Sequence, residues 1–224
     1  MNFLKFNNTY DDKLQSSLKS IDDIFSKYRN DEIAVSFNGG KDNIVMIDMI
    51  LNYITSKYYK TGLPFIFFVD SGNNFPEVLD FIYSTDKKYG LNLSTFNCSM
   101  KKALNNIRHE YPSIKFIFMG TRKDDFDEYD LCNIKYYNPT DKDWPSYIRV
   151  TPLIFFEYED IWNYIITNNI SYCKLYNEGY TSLGDKNNTD KNPKLRYYNI
   201  KTQKYKYMHA SKLINSKYER LGRK

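Results

Sequence analysis

Histidine, tryptophan and cysteine are scarce in this chain: 224 residues hold two His, two Trp and three Cys. Neither His109 nor His209 has a cluster of cysteines or carboxylates around it, so a histidine-centred catalytic site is not indicated, and both are expected at the surface or as caps. Cys98, Cys132 and Cys173 are odd in number, far apart and without a CxxC pair, which argues against a disulfide framework or a zinc site and for a reducing compartment. No apolar run approaches the roughly 20 residues that span a bilayer, and the start MNFLKFNNTYDDK lacks the apolar centre of a cleavable signal. A soluble cytoplasmic protein with no membrane partner is expected. Charge of one sign is lacking too: 32 basic against 27 acidic residues leave a net charge of +5, too mild a surplus to imply nucleic acid. The excess gathers between Lys186 and Lys224, which suits a phosphate-facing tail or a solvated end.

What is present is enough to fold. Hydrophobic residues make up 42% and aromatic residues 17%, and the length favours one domain: an N-terminal helix (1–30), an α/β core (31–156) and a helical, basic C-terminal extension (157–224). Leu14, Leu18, Ile21, Phe25 and Tyr28 recur at helical steps, predicting an amphipathic helix that serves as lid or brace. IAVSF (33–37), LPFIFFVD (63–70), LNLSTF (91–96) and IKFIFMG (114–120) read as short apolar strands separated by helical patterns. That alternation predicts an α/β fold, a mostly parallel twisted sheet with helices on both faces. The polar stretch 124–147 reads as a long functional loop, and EYEDIWNYIITNN (157–169) as a helix.

Ligands of such sheets bind at the carboxyl ends of the strands. The first strand runs there into SFNGGKD (36–42), which is neither a Walker A loop, since Asp42 follows Lys41, nor a GxGxxG fingerprint. Physically it is still an anion site. Gly39 and Gly40 let backbone N–H groups point into the turn, the following helix offers its N-terminus, Ser36 and Asn38 add donors, Lys41 adds a mobile charge, and Asp42 caps the helix or reaches a magnesium ion. Phe37 is counted with this stretch. The second and fourth strands deliver VDSGNNFPE (69–77) and MGTRKDDFDE (119–128) to the same edge.

SFNGGKD resembles the PP-loop of the ATP pyrophosphatase fold (adenine nucleotide alpha hydrolase-like). With VDSGNNFPE, GTRKDD, DWPSYIRVTPL, EGYTSLG, NPKLR and ERLGR following in order, the chain from about residue 30 onward is similar to the eukaryotic FAD synthetase (FMN adenylyltransferase) family, related to phosphoadenosine phosphosulfate reductases. The resemblance implies adenylyl transfer from ATP to FMN, giving FAD and pyrophosphate, with Mg²⁺ accompanying ATP; no metal ligands are assigned. It implies catalytic roles for Asn38, Asp42, Arg220 and Arg223. It places Asp70 by the adenine and ribose, or else as a cap for the helix beginning near Phe75. Gly120, Arg122 and Asp125 match Gly-x-Arg-x-x-Asp-Pro, with Phe126 in place of the proline; Arg122 would clamp a phosphate and Asp125 orient the flavin, or the two form a plain surface ion pair. Asp141, Trp144, Tyr147 and Arg149 fall in the flavin segment, Trp144 stacking on the ring or anchoring the loop. Arg220 and Arg223, three apart, would share a helical face toward substrate phosphates, unless the end is frayed; Arg196 supports the structure or touches phosphate.

An ionised phosphate nucleophile needs no general base, which fits the shortage of histidine. The alternatives are a phosphoadenosine phosphosulfate reductase-like or other PP-loop pyrophosphatase. The reductases use a cysteine in a mobile C-terminal segment, and this chain has none after Cys173. The expected partners are FMN and ATP, with no nucleic acid, for a monomer.

Overall fold

The computed structural model of the chain describes residues 9–57, 62–125 and 135–224. Helix α1 (Tyr10–Phe25) starts at Thr9, whose side chain and that of Asp12 cap each other's backbone N–H groups. After it come β1 (Ile33–Ser36), α2 (Lys41–Lys57), β2 (Phe65–Val69), α3 (Pro76–Tyr89), β3 (Ser94–Phe96), α4 (Met100–Glu110), β4 (Phe116–Phe118), β5 (Tyr137–Pro139), β6 (Ile148–Val150) and α5 (Tyr158–Thr167). Beyond α5 the chain runs through short 3₁₀ turns interrupted by the hairpin β7 (Arg196–Asn199) and β8 (Lys204–Tyr207).

The main sheet has the order β3-β2-β1-β4-β6-β5, parallel throughout except for the antiparallel edge strand β5. Because β1 is followed outward by β2 on one side and by β4 on the other, the strand order switches between β1 and β4. The loops leaving those two strands therefore diverge and open a crevice at their carboxyl ends. Side chains alternate across the sheet with a period of two. Ile33, Val35, Ile66, Phe68, Phe116 and Phe118 join the large core under α1, α2 and α5, whereas Ala34, Phe67 and Ile117 join a smaller core under α4. Helices on both faces explain the nearly unbroken apolar runs of the strands. Helix α2 is buried on most of its circumference because it lies between the sheet and the α1 and α5 layer.

Three expectations change and one alternative is settled. Helix α1 is a brace and not a lid: Phe25 packs on Tyr53 and Phe118, Ser17 donates to the Pro152 carbonyl (2.8 Å), and Lys13 pairs with Asp160 (2.6 Å). The stretch 124–147 is not one loop, since it supplies β5, which pairs with β6 as a short hairpin. The strands β7 and β8 were not foreseen, and the tail from Ser216 is a 3₁₀ turn followed by further hydrogen-bonded turns, not an α-helix. Residues 126–134, with Phe126 and Cys132, lie outside the described part.

His209 holds the C-terminal extension against α5 by packing edge-on against Trp162, while its Nδ1 accepts from the Ser211 N–H (3.0 Å) and its Nε2 meets the Tyr172 hydroxyl (3.0 Å). Burial, with Lys212 nearby, holds its pKa below the ordinary value. Its neutral form is thus favoured by folding, so the stabilisation is complete above the unfolded pKa near 6.5 and lost as pH falls through the depressed folded value. Thermal unfolding scanned from pH 7.5 to 5 is expected to show a decline that His209→Gln flattens.

Candidate active site

At the β1–β4 switch the two diverging loops and the C-terminal tail enclose a polar cavity of about 370 Å³. The turn after β1 forms its floor. Gly39 has φ +72°, and a Cβ there would lie 2.8 Å from Ile82 Cγ1 and 3.3 Å from Val78 Cγ1, so glycine is required both by conformation and by α3 packing beneath it. Gly39→Ala is expected to cost about 2 kcal/mol or more, measured by denaturant unfolding, because the left-handed backbone alone costs a Cβ residue about 1–2 kcal/mol. Asn38 Oδ1 accepts from the Gly40 N–H (3.0 Å) and locks the turn. Gly120, at the end of β4, sits so close to the start of α2 that a Cβ would come within 2.9 Å of the Asn43 nitrogen. The helix N-terminus is therefore flanked by bare backbone on two sides, the geometry of an anion cradle.

Behind the cradle lies a buried ion network. Lys41 is 2% exposed, and its ammonium contacts Asp42 (3.0 Å) and Glu219 (2.5 Å). Arg122, also 2% exposed, contacts Asp42 Oδ1 (2.8 Å), Glu219 Oε2 and Asp124 (3.3 Å). Burial pushes the Asp42 carboxyl up, and the adjacent Lys41 and Arg122 more than offset this, leaving it below the usual carboxylate range. Burial likewise pulls on Arg122, and Asp42 and Glu219 reverse the pull, holding its guanidinium firmly protonated. The Tyr176 hydroxyl accepts from the Lys41 N–H (2.9 Å), capping the first helical donor from 135 residues away.

The C-terminal tail closes one wall. It is pinned, not frayed: Asp190 N–H donates to the Gly222 carbonyl (2.7 Å) and Lys224 N–H to the Asn188 carbonyl (2.9 Å). Arg220 pairs with Asp125, and Arg223 donates to the Leu183 carbonyl (2.8 Å) and to Ser182 Oγ (3.3 Å). Gly184 is the seat for Arg223, since a Cβ there would fall 2.2 Å from the guanidinium. Among the described residues Arg223 has no carboxylate partner; its desolvation, with Arg220 beside it, lowers its pKa. An anion placed in the cavity would relieve that repulsion.

A second, mostly apolar slot of about 130 Å³ adjoins the first and shares Ser36, Met100 and Met119 with it. Its far wall is the β5–β6 loop. Thr140 ties that loop shut by accepting from the Tyr147 N–H (3.0 Å) and donating to the Pro145 carbonyl (2.7 Å), which puts Trp144, Asp141 and Arg149 on the slot. Trp144 remains 36% exposed at the slot.

Of the residues expected in the site, Ser36, Asn38, Gly40, Lys41, Asp42, Gly120, Asp125, Arg220 and Arg223 line the larger cavity and Asp141, Trp144 and Arg149 the smaller. Gly39 shapes the floor beneath the larger cavity, and the remaining readings require correction. Phe37 is fully buried in the large core, because the alternation of β1 turns it away from Ser36. Lys41 is not mobile, and Arg122 is neither a surface ion pair nor free to clamp phosphate, since carboxylates occupy both. The Tyr147 ring is buried under α4, its hydroxyl donating to the Leu104 carbonyl (3.1 Å). Asp70 lines neither cavity and does not cap α3, whose N-cap is Phe75; it closes its own turn by accepting from the Gly72 N–H (2.7 Å) and Asn74 (2.8 Å). Arg196 stacks over Tyr205 in the β7–β8 hairpin, at 3.9 Å from the ring centre. Glu219, the first residue of ERLGR, and Tyr176 carry no expected role, because only the fold brings them to Lys41.

A strand-order switch, a glycine cradle at a helix start and cationic walls define a PP-loop nucleotide-binding protein, and residues 32–191 match the phosphoadenosine phosphosulfate reductase domain. Within that group the chain belongs to the FAD synthase family: it is 35% identical over 217 residues to a probable FAD synthase of Schizosaccharomyces pombe, covering 94% of this chain and 78% of that one. A probable FAD synthase of Caenorhabditis briggsae is likewise 35% identical over 94% of this chain, which spans 40% of that longer protein. Among solved structures, Candida glabrata FMN adenylyltransferase in complex with FAD and inorganic pyrophosphate superposes with a TM-score of 0.83 at 26% identity, covering 96% of this chain and 88% of that one.

Proposed function

We propose that this protein is an FMN adenylyltransferase: it transfers AMP from ATP to FMN, forming FAD and pyrophosphate. The observation that carries the reading is the pair of contiguous cavities, one polar at the helix start with Arg220 and Arg223 on its wall and one apolar beside Trp144, meeting at Ser36, Met100 and Met119. The triphosphate fits the polar cavity, against the cradle and the guanidiniums of Arg220 and Arg223. The isoalloxazine fits the apolar slot, with Trp144 as an aromatic partner and Asp141 and Arg149 at its polar edge.

In that arrangement an ionised phosphate oxygen of FMN attacks the α-phosphorus of ATP. The new O–P bond forms as the bond from the α-phosphorus to the bridging oxygen breaks, and pyrophosphate leaves with the electron pair. No proton has to be removed from the nucleophile, so positioning and positive charge suffice. Asn38 shapes the cradle, Arg223 and Arg220 neutralise the polyanions, and Asp42 acts indirectly, by fixing Lys41 and Arg122. Among the described residues no group of three or more His, Cys, Asp or Glu could hold a metal, and Asp42 and Glu219 are already paired to cations. A protein-built metal cage therefore does not fit, and magnesium is best regarded as part of the MgATP substrate.

A reductase reading is disfavoured by Cys173, which is buried beneath the Glu77 carbonyl with its thiol pushed up by burial. No helix among the described residues is long and apolar enough to cross a membrane. A cytoplasmic setting and a monomeric state are carried as parts of the same proposal. The test is to incubate purified protein with FMN, ATP and Mg²⁺ and to follow FAD and pyrophosphate by chromatography. Absence of FAD, with sulfite released from phosphoadenosine phosphosulfate and thioredoxin, would replace this reading by the reductase one. Trp144→Ala is expected to raise the KM for FMN roughly tenfold, about what one aromatic stack is worth, and to leave the KM for ATP unchanged.

A further inference from the structure

The polar cavity is lined by Lys41, Arg220 and Arg223 on one side of the ledger of charge and by Asp42, Asp125 and Glu219 on the other, with Arg122 directly behind. Three carboxylates are unexpected in a pocket that has to accept two phosphorylated substrates. Asp42, in the first turn of α2, and Asp125, in the turn after β4, belong to the segments that build the cradle. Glu219 does not: it arrives from the tail, 178 residues beyond Lys41 in sequence, and is 6% exposed. One of its oxygens contacts Lys41 and the other Arg122. Its main chain is fixed independently, the carbonyl accepting from Thr181 Oγ1 (2.5 Å) and the N–H donating to the Ser216 carbonyl (2.9 Å). The side chain is thus not needed to dock the tail. The next residue, Arg220, faces Asp125 on the other side of the cavity.

Resting on the adenylyl-transfer reading, we infer that Glu219 is a positioning residue that fixes Lys41 and Arg122 beside the cradle and offsets their charge, keeping the attraction for pyrophosphate weak enough for the product to leave. Without Glu219, Asp42 would still pair with both cations, but the larger net positive charge would hold a small polyanion more tightly in the ground state, where tight binding adds nothing to turnover and retards release. A carboxylate shared by the two lowers that affinity while holding both in register for the transition state.

The experiment compares Glu219→Gln and Glu219→Asp with the unaltered chain. Pyrophosphate binding is measured by calorimetry, kcat and KM for ATP by FAD formation, and folding by thermal unfolding. Glu219→Gln removes one unit charge several ångströms from the bound polyanion, which at an effective dielectric near 20 is worth about tenfold or more in affinity. Pyrophosphate should therefore bind about tenfold tighter, while kcat falls and the KM for ATP does not rise. Glu219→Asp keeps the charge but is one methylene too short to reach both Lys41 and Arg122. Its pyrophosphate affinity should stay within about twofold and its kcat drop about tenfold, the common scale for a misplaced supporting group. A purely structural role would instead weaken pyrophosphate and ATP together in both variants, and that result overturns the inference, as does unchanged pyrophosphate affinity in folded Glu219→Gln. If Glu219→Gln does not fold, Glu219→Asp decides: unaltered kcat or a loss of pyrophosphate affinity rejects the role, and lowered kcat with unaltered affinity supports it. Failure of the unaltered protein to make FAD would reject the adenylyl-transfer reading separately, because the binding comparison needs no turnover.

Discussion

Arg122→Met is expected to lower the unfolding free energy by about 3–5 kcal/mol, the usual cost of removing one partner from a buried ion pair and stranding the other. The guanidinium stands between Asp42, Glu219 and Asp124, and it is itself almost inaccessible to water. Without it, Asp42 and Glu219 share only the Lys41 ammonium in a space too dry to screen the surplus negative charge. The pH dependence distinguishes this cause from lost packing. In the unaltered protein the Asp42 pKa is depressed, so its contribution is complete above the unfolded value near 3.9 and lost as pH falls through the folded one. In Arg122→Met one of the two cations that offset burial is gone, so the Asp42 carboxyl pKa is expected to rise and the variant to be penalised most at neutral pH. The deficit should narrow as urea unfolding is repeated from pH 7 down to pH 4.5. Pairing Arg122→Met with Glu219→Gln should cost less than the two changes summed, because the second removes a charge stranded by the first. A deficit that is additive and independent of pH would show that Arg122 acts by packing alone.

The sheet was legible because burial on both faces demands continuous apolar strands, and runs such as FIFFV and FIF declare themselves without any help from context. The strands that were missed lack that pressure. Strand β5 is Tyr-Asn-Pro at an edge, where a proline is harmless because no ladder partner needs its N–H. Strand β6 has only Val150 fully buried, and β7 and β8 display Tyr and Lys to solvent. Their pairing is decided by neighbours, which a single segment does not reveal.

The site divides in the same way. Gly39 could be singled out because a positive φ beside a helix start leaves a local mark, a glycine pair. Phe37 follows the period of its strand: Ile33, Val35 and Phe37 form one alternating face and Ala34 and Ser36 the other, so the phenylalanine turns inward when the serine faces the ligand. The hold on Lys41 and Arg122 follows no such period. A mobile cation at Lys41, and a phosphate clamp or surface ion pair at Arg122, are the local readings; both side chains are instead held by Glu219, whose position depends on the return of the tail over the cradle. Long-range ion pairs carry no spacing rule comparable to the i, i+4 pattern of a helix.

Arg223→Ala and Arg220→Ala are each expected to lower kcat for FAD formation by about 10²–10³, the scale found when one preorganised donor to developing phosphate charge is removed. The structural cost should be small, since Arg220 is largely exposed and a surface ion pair such as that with Asp125 contributes about 0–1 kcal/mol. Unfolding midpoints near the unaltered value, beside a collapse in turnover, separate catalysis from folding. The two arginines differ in how they are held, which gives different outcomes for conservative replacement. Arg223 is gripped by the Leu183 carbonyl and Ser182 and seated on the bare backbone of Gly184. A lysine there loses the fork that spans carbonyl, hydroxyl and phosphate at once, so Arg223→Lys should recover less than a tenth of the lost rate. Among the described residues Arg220 has one carboxylate partner, Asp125, and it has enough exposure to turn from it toward an incoming anion. Arg220→Lys should therefore recover a larger share, chiefly at low ionic strength, where a point charge is least screened. Equal turnover in the alanine variants and the unaltered protein would remove both guanidiniums from the reaction and leave the cradle as the source of its positive charge.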